Sequence, residues 1–219
     1  MDKIMDALGP KTSLVDQTYH AMLDAICTGQ LKPGTRLSQD QLAAELGVSR
    51  QPVNSAIAML KTQRFVEDTG RRGVVVSPID PDLLQSVYQF RSAVDPLAVR
   101  LAGLALTEQA SARAKAIINA GRSAVESGDA VAAIKVDMDF HNLIYELSGN
   151  ALIQDAMQLN WRHLQRAMGE VLAKPGMTEA VWREHATILS LMQAGDLDGA
   201  AEAAHAHVVE AAARIARPG

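Results

Sequence analysis

The stretch Ser49-Arg50-Gln51-Pro52-Val53-Asn54-Ser55-Ala56-Ile57 constrains this chain more than any other segment. Leu42, Ala43 and Leu46, just before it, recur at helical spacing and describe a short amphipathic helix. Gly47 stops that helix, because glycine alone enters the left-handed conformation cheaply. Val48 closes the turn as an apolar pin. Ser49 sits where it can cap a second helix, and Pro52 lies in that helix's first turn, where a missing N–H does no harm. Val53, Ile57 and Leu60 then face inward. Arg50, Gln51, Asn54 and Ser55 are left on the exposed N-terminal end, where a recognition helix offers side chains to base edges in the major groove.

The flanks narrow the reading. Ser38-Gln39-Asp40-Gln41 predicts a capping box at the start of the first helix. After the second helix, Phe65-Val66-Glu67-Asp68 and Val74-Val75-Val76 are short β-type runs around Thr69-Gly70-Arg71-Arg72-Gly73, which predicts a basic hairpin. Helix, turn, helix and hairpin together are a winged helix-turn-helix. An ordinary helical hairpin accounts for the two helices but not for the basic loop. Ser49, Arg50, Gln51 and Asn54 are the expected base-reading residues, with Arg36, Arg71 and Arg72 beside them.

Charge bears on this only after division. Up to residue 78 there are nine Lys and Arg against eight Asp and Glu, and beyond it twelve against seventeen. The net charge of −4 therefore resides in the second part. The first part is only weakly basic, so DNA affinity must come from placement of its cations and from pairing two such modules in a homodimer.

Ser77-Pro78-Ile79-Asp80-Pro81 predicts a boundary, giving a DNA-binding domain over 1–78 and a second domain over 79–219. Beyond it no strand is expected. Helices are predicted at 81–105, 108–127, 130–148, 151–173, 178–194 and 197–216. Thr107, Asp129, Thr178 and Asp196 mark starts, and Gly128, Gly149-Asn150, Gly176 and Gly195 mark stops. The expected fold is mainly α: a winged helix-turn-helix followed by an all-α antiparallel helical bundle. No apolar run has the length of a membrane span, and no signal-peptide pattern opens the chain. Cys27 is single, which excludes an internal disulfide and fits a cytoplasmic protein.

Asp137 and His141 share a helix face at a spacing of four, His185 lies on a later helix, and His205 and His207 lie on the last. A carboxylate and imidazoles from three helices can converge on a divalent transition metal. Spacing alone leaves the ordinary alternative open, in which each histidine is exposed or singly hydrogen-bonded. Arg91 stands four residues before Asp95, the spacing of an intrahelical ion pair. His20 and His163 are expected on the surface, and Trp182 and Tyr88 in the core.

Leu31 to Ser38, Leu42-Ala43, Gly47-Val48-Ser49-Arg50, Pro52-Val53 and the Arg-Arg-Gly wing together resemble the GntR superfamily of bacterial transcription regulators. The chain departs from its pattern at Asn54 and Ser55, where arginine and glutamate are usual, and at Asp40, near which many members carry a basic residue. The resemblance implies DNA binding with an altered operator preference. Asp137, Phe140-His141, Leu147 to Asn150, Glu184-His185, Ile188 and Ala203 to Val208 resemble the effector domain of its FadR-type (FCD) subgroup. That resemblance implies a metal held by Asp137, His141, His185 and His207, zinc in the first place with nickel or manganese as alternatives. It also places Arg91 in an Arg-x-x-x-acid pattern, which implies a bidentate ligand for an effector carboxylate as the alternative to the Asp95 pair, and leaves His205 outside the ligand set.

The resulting expectation is a cytoplasmic, homodimeric regulator, a repressor by the habit of the family. It binds double-stranded operator DNA and senses a small carboxylate-containing organic or sugar acid. It is expected not to be an enzyme and not to enter a membrane. Two alternatives stand beside it: a metalloenzyme fused to a DNA-binding head, and a metal-free regulator of an apolar acyl ligand.

Overall fold

A computed structural model describes residues 13–70, 73–171 and 177–216. The chain divides into two compact units between Pro78 and Ile79.

The first unit runs α1 (Leu14–Cys27), β1 (Arg36–Leu37), α2 (Gln39–Leu46), α3 (Arg50–Thr62), β2 (Val66–Asp68) and β3 (Val74–Val76). Each helix begins where the sequence can satisfy its free N–H groups. Ser13 and Asp16 form a capping box on α1, and the Ser38 side chain accepts from the Gln41 amide on α2. Ser49 occupies the N-cap position of α3 but makes no side-chain cap bond, so its expected capping role is limited to its extended backbone. Gly47 ends α2 at φ 65°, the left-handed conformation its position demands. The hairpin pairs Val66 with Val76 and Asp68 with Val74, and Thr69 N–H closes it onto Gly73 C=O. β1 joins the other edge of β3 antiparallel, giving the order β1-β3-β2. Val53, Ala56, Leu60, Phe65 and Val76 are fully buried and fasten α3 to the sheet. Burying one such large side chain stabilises by about 1.5–3 kcal/mol.

The second unit is six helices: α4 (Pro81–Leu104), α5 (Glu108–Glu126), α6 (Ala130–Ser148), α7 (Ala151–Val171), α8 (Met177–Ala194) and α9 (Leu197–Ala216). Asp80 starts α4 by accepting from the Asp82 and Leu83 amides, with Pro81 at the first helical position. Asp129 and Thr107 cap α6 and α5 in the same way. α8 begins one residue before Thr178, and Gly176 lies outside the described residues. α9 packs along both α4 and α8, while α6 packs on α4, α5 and α7. Trp161, Trp182, Phe140, Tyr145, Met157 and Leu164 are among the largest fully buried side chains of its core. Gly121 of α5 lies where any Cβ would collide with the Trp182 indole of α8, so α5 and α8 approach closely at that point. No strand occurs among the described residues of this unit.

Candidate nucleic-acid interface and metal centre

The amphipathic periodicity of α3 turns Val53, Ala56, Ile57 and Leu60 inward and leaves Arg50, Gln51 and Asn54 exposed. Arg50 forms an ion pair with Asp40 of α2, both side chains about two-thirds exposed. Asn54 lines an open groove of about 700 Å³ with Arg36, Gln39, Asp40, Ala58, Lys61 and Asp68. Lys61 bonds both Asp68 oxygens, at 2.8 and 2.9 Å, which ties the end of α3 to β2. Arg36 belongs to β1, and its guanidinium reaches the base of the wing beside Gly73. Ser49 is exposed at the head of α3. Arg71 and Arg72 lie outside the described residues.

In the second unit three buried imidazoles meet. Ring nitrogens of His141 on α6, His185 on α8 and His207 on α9 all lie within 4.8 Å of one another. Nε2 of His185 is 3.3 Å from Nε2 of His207 and 3.6 Å from Oδ1 of Asp137. Aromatic walls hold the rings: Phe140 stacks on His185 at 4.2 Å between centroids, and Trp182 meets it edge-on at 5.0 Å. Trp161 stands 5.0 Å from His141.

Burial sets the protonation of this cluster. It holds the His141 imidazole well below its ordinary range, with help from the Arg91 guanidinium and the other two rings. It does the same to His185, where His207 and Arg91 add to the effect. It pushes the Asp137 carboxyl up to about 6, against the opposing pull of His207 and Arg91. Neutral imidazoles beside a carboxylate that lacks a full counter-charge are the donor set of a divalent transition metal. Nδ1 of His185 is buried without a hydrogen-bond partner, while its Nε2 faces His207 and Asp137. The residues present therefore fit such an ion.

Arg91 lies between Asp95 and the histidine cluster. Its Nε and Nη2 donate to Oδ2 of Asp95 at 3.1 and 2.9 Å, forming the intrahelical pair. The same Nη2 lies 3.1 and 3.3 Å from the ring nitrogens of His141, and the guanidinium covers the Trp161 ring at 4.6 Å. Tyr145 O–H donates to the other Asp95 oxygen at 2.6 Å. The cavity beside Asp95, His141 and His207 is about 10 Å³, room for at most one water.

His205 is exposed and faces the Ser92 carbonyl, away from the cluster. His20 is exposed, and Trp182 and Tyr88 are core residues, as expected. His163 is buried rather than exposed, with 7% of its surface accessible, because α7 turns it inward two residues after Trp161. Sequence reasoning gave Glu184 no role beyond its place in the Glu184-His185 motif and did not single out Arg214. Nδ1 of His207 meets Glu184 at 2.7 Å, and Arg214 clasps the same carboxylate. Burial pushes the Glu184 carboxyl up, but its bonds from His207 and Arg214 prevail and hold it near 2. The signal lay in helical spacing: Arg214 follows His207 by two turns on one face.

A winged helix-turn-helix joined to an all-helical domain defines a DNA-binding transcription regulator. Residues 14–76 match the gntR family of bacterial regulatory proteins and residues 86–210 match the FCD domain. The chain belongs to the GntR family, in its FCD-bearing form. It is 24% identical to the HTH-type transcriptional repressor RspR of Escherichia coli, across 93% of this chain and 89% of that one. It is 23% identical to the HTH-type regulator YdhC of Bacillus subtilis, across 87% and 86%. The structure of Escherichia coli McbR/YncC superposes with a TM-score of 0.81 at 23% identity, covering 94% of this chain and 98% of that one. A putative GntR regulator from Rhodococcus follows at 0.76 and 22%, covering 93% and 99%. These relatives are transcription regulators and not enzymes. No helix among the described residues is long and apolar enough to cross a membrane.

Proposed function

We propose that this protein is a cytoplasmic, homodimeric repressor of the FadR type whose helical domain holds one divalent metal and senses a small carboxylate-bearing acid. The observation that carries the reading is the meeting of three buried histidines from three helices beside Asp137. Asp137, His141, His185 and His207 would hold the ion, zinc in the first place with nickel or manganese as alternatives. The ion supplies positions that an effector's carboxylate or hydroxyl can complete.

Arg91 is the effector's second anchor in this reading. Its guanidinium is already engaged by Asp95, so an incoming carboxylate has to compete with an internal one. Entry also has to open the site, since its cavity holds at most one water. Binding is thereby linked to movement of α4, which carries both Arg91 and Asp95. A ligand shifts operator affinity only by the difference in its own affinity for the two placements of the domain.

Ser49, Arg50, Gln51 and Asn54 read base edges, and Arg36, Arg71 and Arg72 supply backbone contacts. The enzyme alternative finds no support among the relatives. An apolar acyl ligand is disfavoured by the charged residues around the cluster.

The test is metal content per chain after purification without a histidine tag and incubation with zinc, nickel and manganese. One equivalent in wild type, lost in His185→Ala and kept in His205→Ala, is expected. Wild-type protein that stays metal-free sinks the metal reading.

A further inference from the structure

Behind the histidine cluster lies a chain of charge that the metal reading does not use. Glu184 precedes His185 on α8, and one residue along a helix is 100° around it, so the two side chains serve different faces. Oε2 of Glu184 is 2.7 Å from Nδ1 of His207. Arg214 donates to the same carboxylate with both terminal nitrogens, Nη1 reaching Oε2 at 3.2 Å and Nη2 reaching Oε1. His207 and Arg214 stand on one face of α9, so this helix grips α8 at two points through a single carboxylate.

The consequence concerns which ring nitrogen is free. Both terminal nitrogens of Arg214 engage the Glu184 carboxylate, and a carboxylate so paired can only accept. The imidazole nitrogen facing it therefore carries the proton, and the other is left with its lone pair. That other nitrogen is Nε2, the atom 3.3 Å from Nε2 of His185. We infer that Glu184 is a positioning residue for the metal centre: it fixes His207 as the Nδ1–H tautomer with Nε2 turned to the ion, and Arg214 in turn fixes Glu184. The inference rests on the metal reading above and deepens it. It makes the C-terminal turns of α9 part of the site, because Arg214 lies two residues before the end of the described helix.

A carboxylate behind a ligating imidazole orients the ring and raises its basicity, and its loss costs about 10–100-fold in metal affinity. The probe is zinc alone, titrated into the metal-free full-length protein against a chromophoric chelator. Glu184→Ala raises the dissociation constant by that factor. Glu184→Gln keeps an acceptor oxygen without the charge and recovers part of the loss. Arg214→Met, which keeps the packing of the stem, weakens zinc by less than Glu184→Ala does. Nitrogen-15 spectra of the His207 ring supply the readout that general destabilisation would not move. Wild type without metal shows the proton on Nδ1, and Glu184→Ala shows it shared with Nε2. A wild-type His207 protonated on Nε2 overturns the inference, whatever the variants do. Unchanged zinc affinity in Glu184→Ala, with wild type binding, overturns it and leaves the metal reading standing. Wild type with no zinc affinity overturns both.

Discussion

Asp40 and Arg50 form an exposed ion pair at the end of α3 proposed to read DNA. A surface ion pair of this exposure contributes at most about 1 kcal/mol to stability, so its importance is not to the fold. In the proposed reading it holds the arginine offered to the major groove and would have to loosen before that arginine met a guanine. Arg50→Ala is expected to cost about 1–3 kcal/mol of operator affinity with unchanged helix content, measured by fluorescence anisotropy and circular dichroism. Asp40→Ala removes a negative charge from the groove and frees Arg50. It should strengthen binding to non-operator DNA more than to operator and so lower the specificity ratio. If the two affinities rise equally, Asp40 acts only as a charge.

At the same scale, burial sets the pH window of the metal. The folded chain keeps His141 and His185 neutral below the ordinary imidazole value, whereas the unfolded chain protonates them as pH falls through 6.5. Their share of stability is thus present above that pH and lost below it. The Asp137 carboxyl runs the other way: raised from 3.8 to about 6, it favours the folded state at low pH and loses that contribution as pH rises through 6. A bound cation needs this carboxylate ionised and offsets the cost of burying it. His141 and His185 are already free of protons, so protonation of the Asp137 carboxylate competes with the ion as pH falls. The rise in Tm on adding zinc is expected to be full near pH 7.5 and to shrink as pH falls through about 6. Equal gains at about pH 5 and pH 7.5 would remove Asp137 from the donor set.

Among the elements, α5 and α8 meet at Gly121 and Trp182, with no space for a methyl group between them. Alanine favours a helix over glycine by roughly 1 kcal/mol, yet overpacking a dense core costs about 1–3 kcal/mol. Trp182 is 2% exposed, walled in, and also borders His185, so it cannot yield outward. Gly121→Ala should therefore lower the midpoint of chemical denaturation despite its better helix propensity, and weaken zinc binding through the displaced indole. A higher midpoint would show that α5 shifts freely. The helices themselves were legible from caps and glycine stops, as at Ser38, Thr107, Asp129 and Gly149. β1 was not. Arg36-Leu37 is two residues long, too short for a period-two pattern, and pairs only because β3 presents an open edge. The pairing of Glu184 with Arg214 was not legible for a related reason: at the sequence level they are ordinary helix-surface charges, and only the packing of α9 on α8 brings them together.

For the whole molecule, the proposed metal would link three helices that are far apart in sequence. α6, α8 and α9 each place one imidazole at the cluster, and between them they touch α4, α5 and α7. An ion bound there is a cross-link specific to the folded second unit. It should stabilise by RT ln(1 + [M]/Kd), about 2.7 kcal/mol at a hundredfold excess over Kd. The winged helix has its own core around Leu60 and Phe65 and contains no residue of the cluster. Stripping the ion should therefore lower the Tm of the helical unit while leaving the other unit folded. Calorimetry of the full chain with and without a chelator reads this directly, and amide exchange assigns the change to a unit. Loss of protection is expected in α6, α8 and α9, with α3 and the hairpin unchanged. The response to any carboxylate effector should vanish in the same sample, because the ion supplies one of its two anchors. Uniform loss of protection across both units would mean that the metal supports the chain as a single cooperative body. In that case the ion could not bias the helical unit alone, and effector sensing would have to act through global stability.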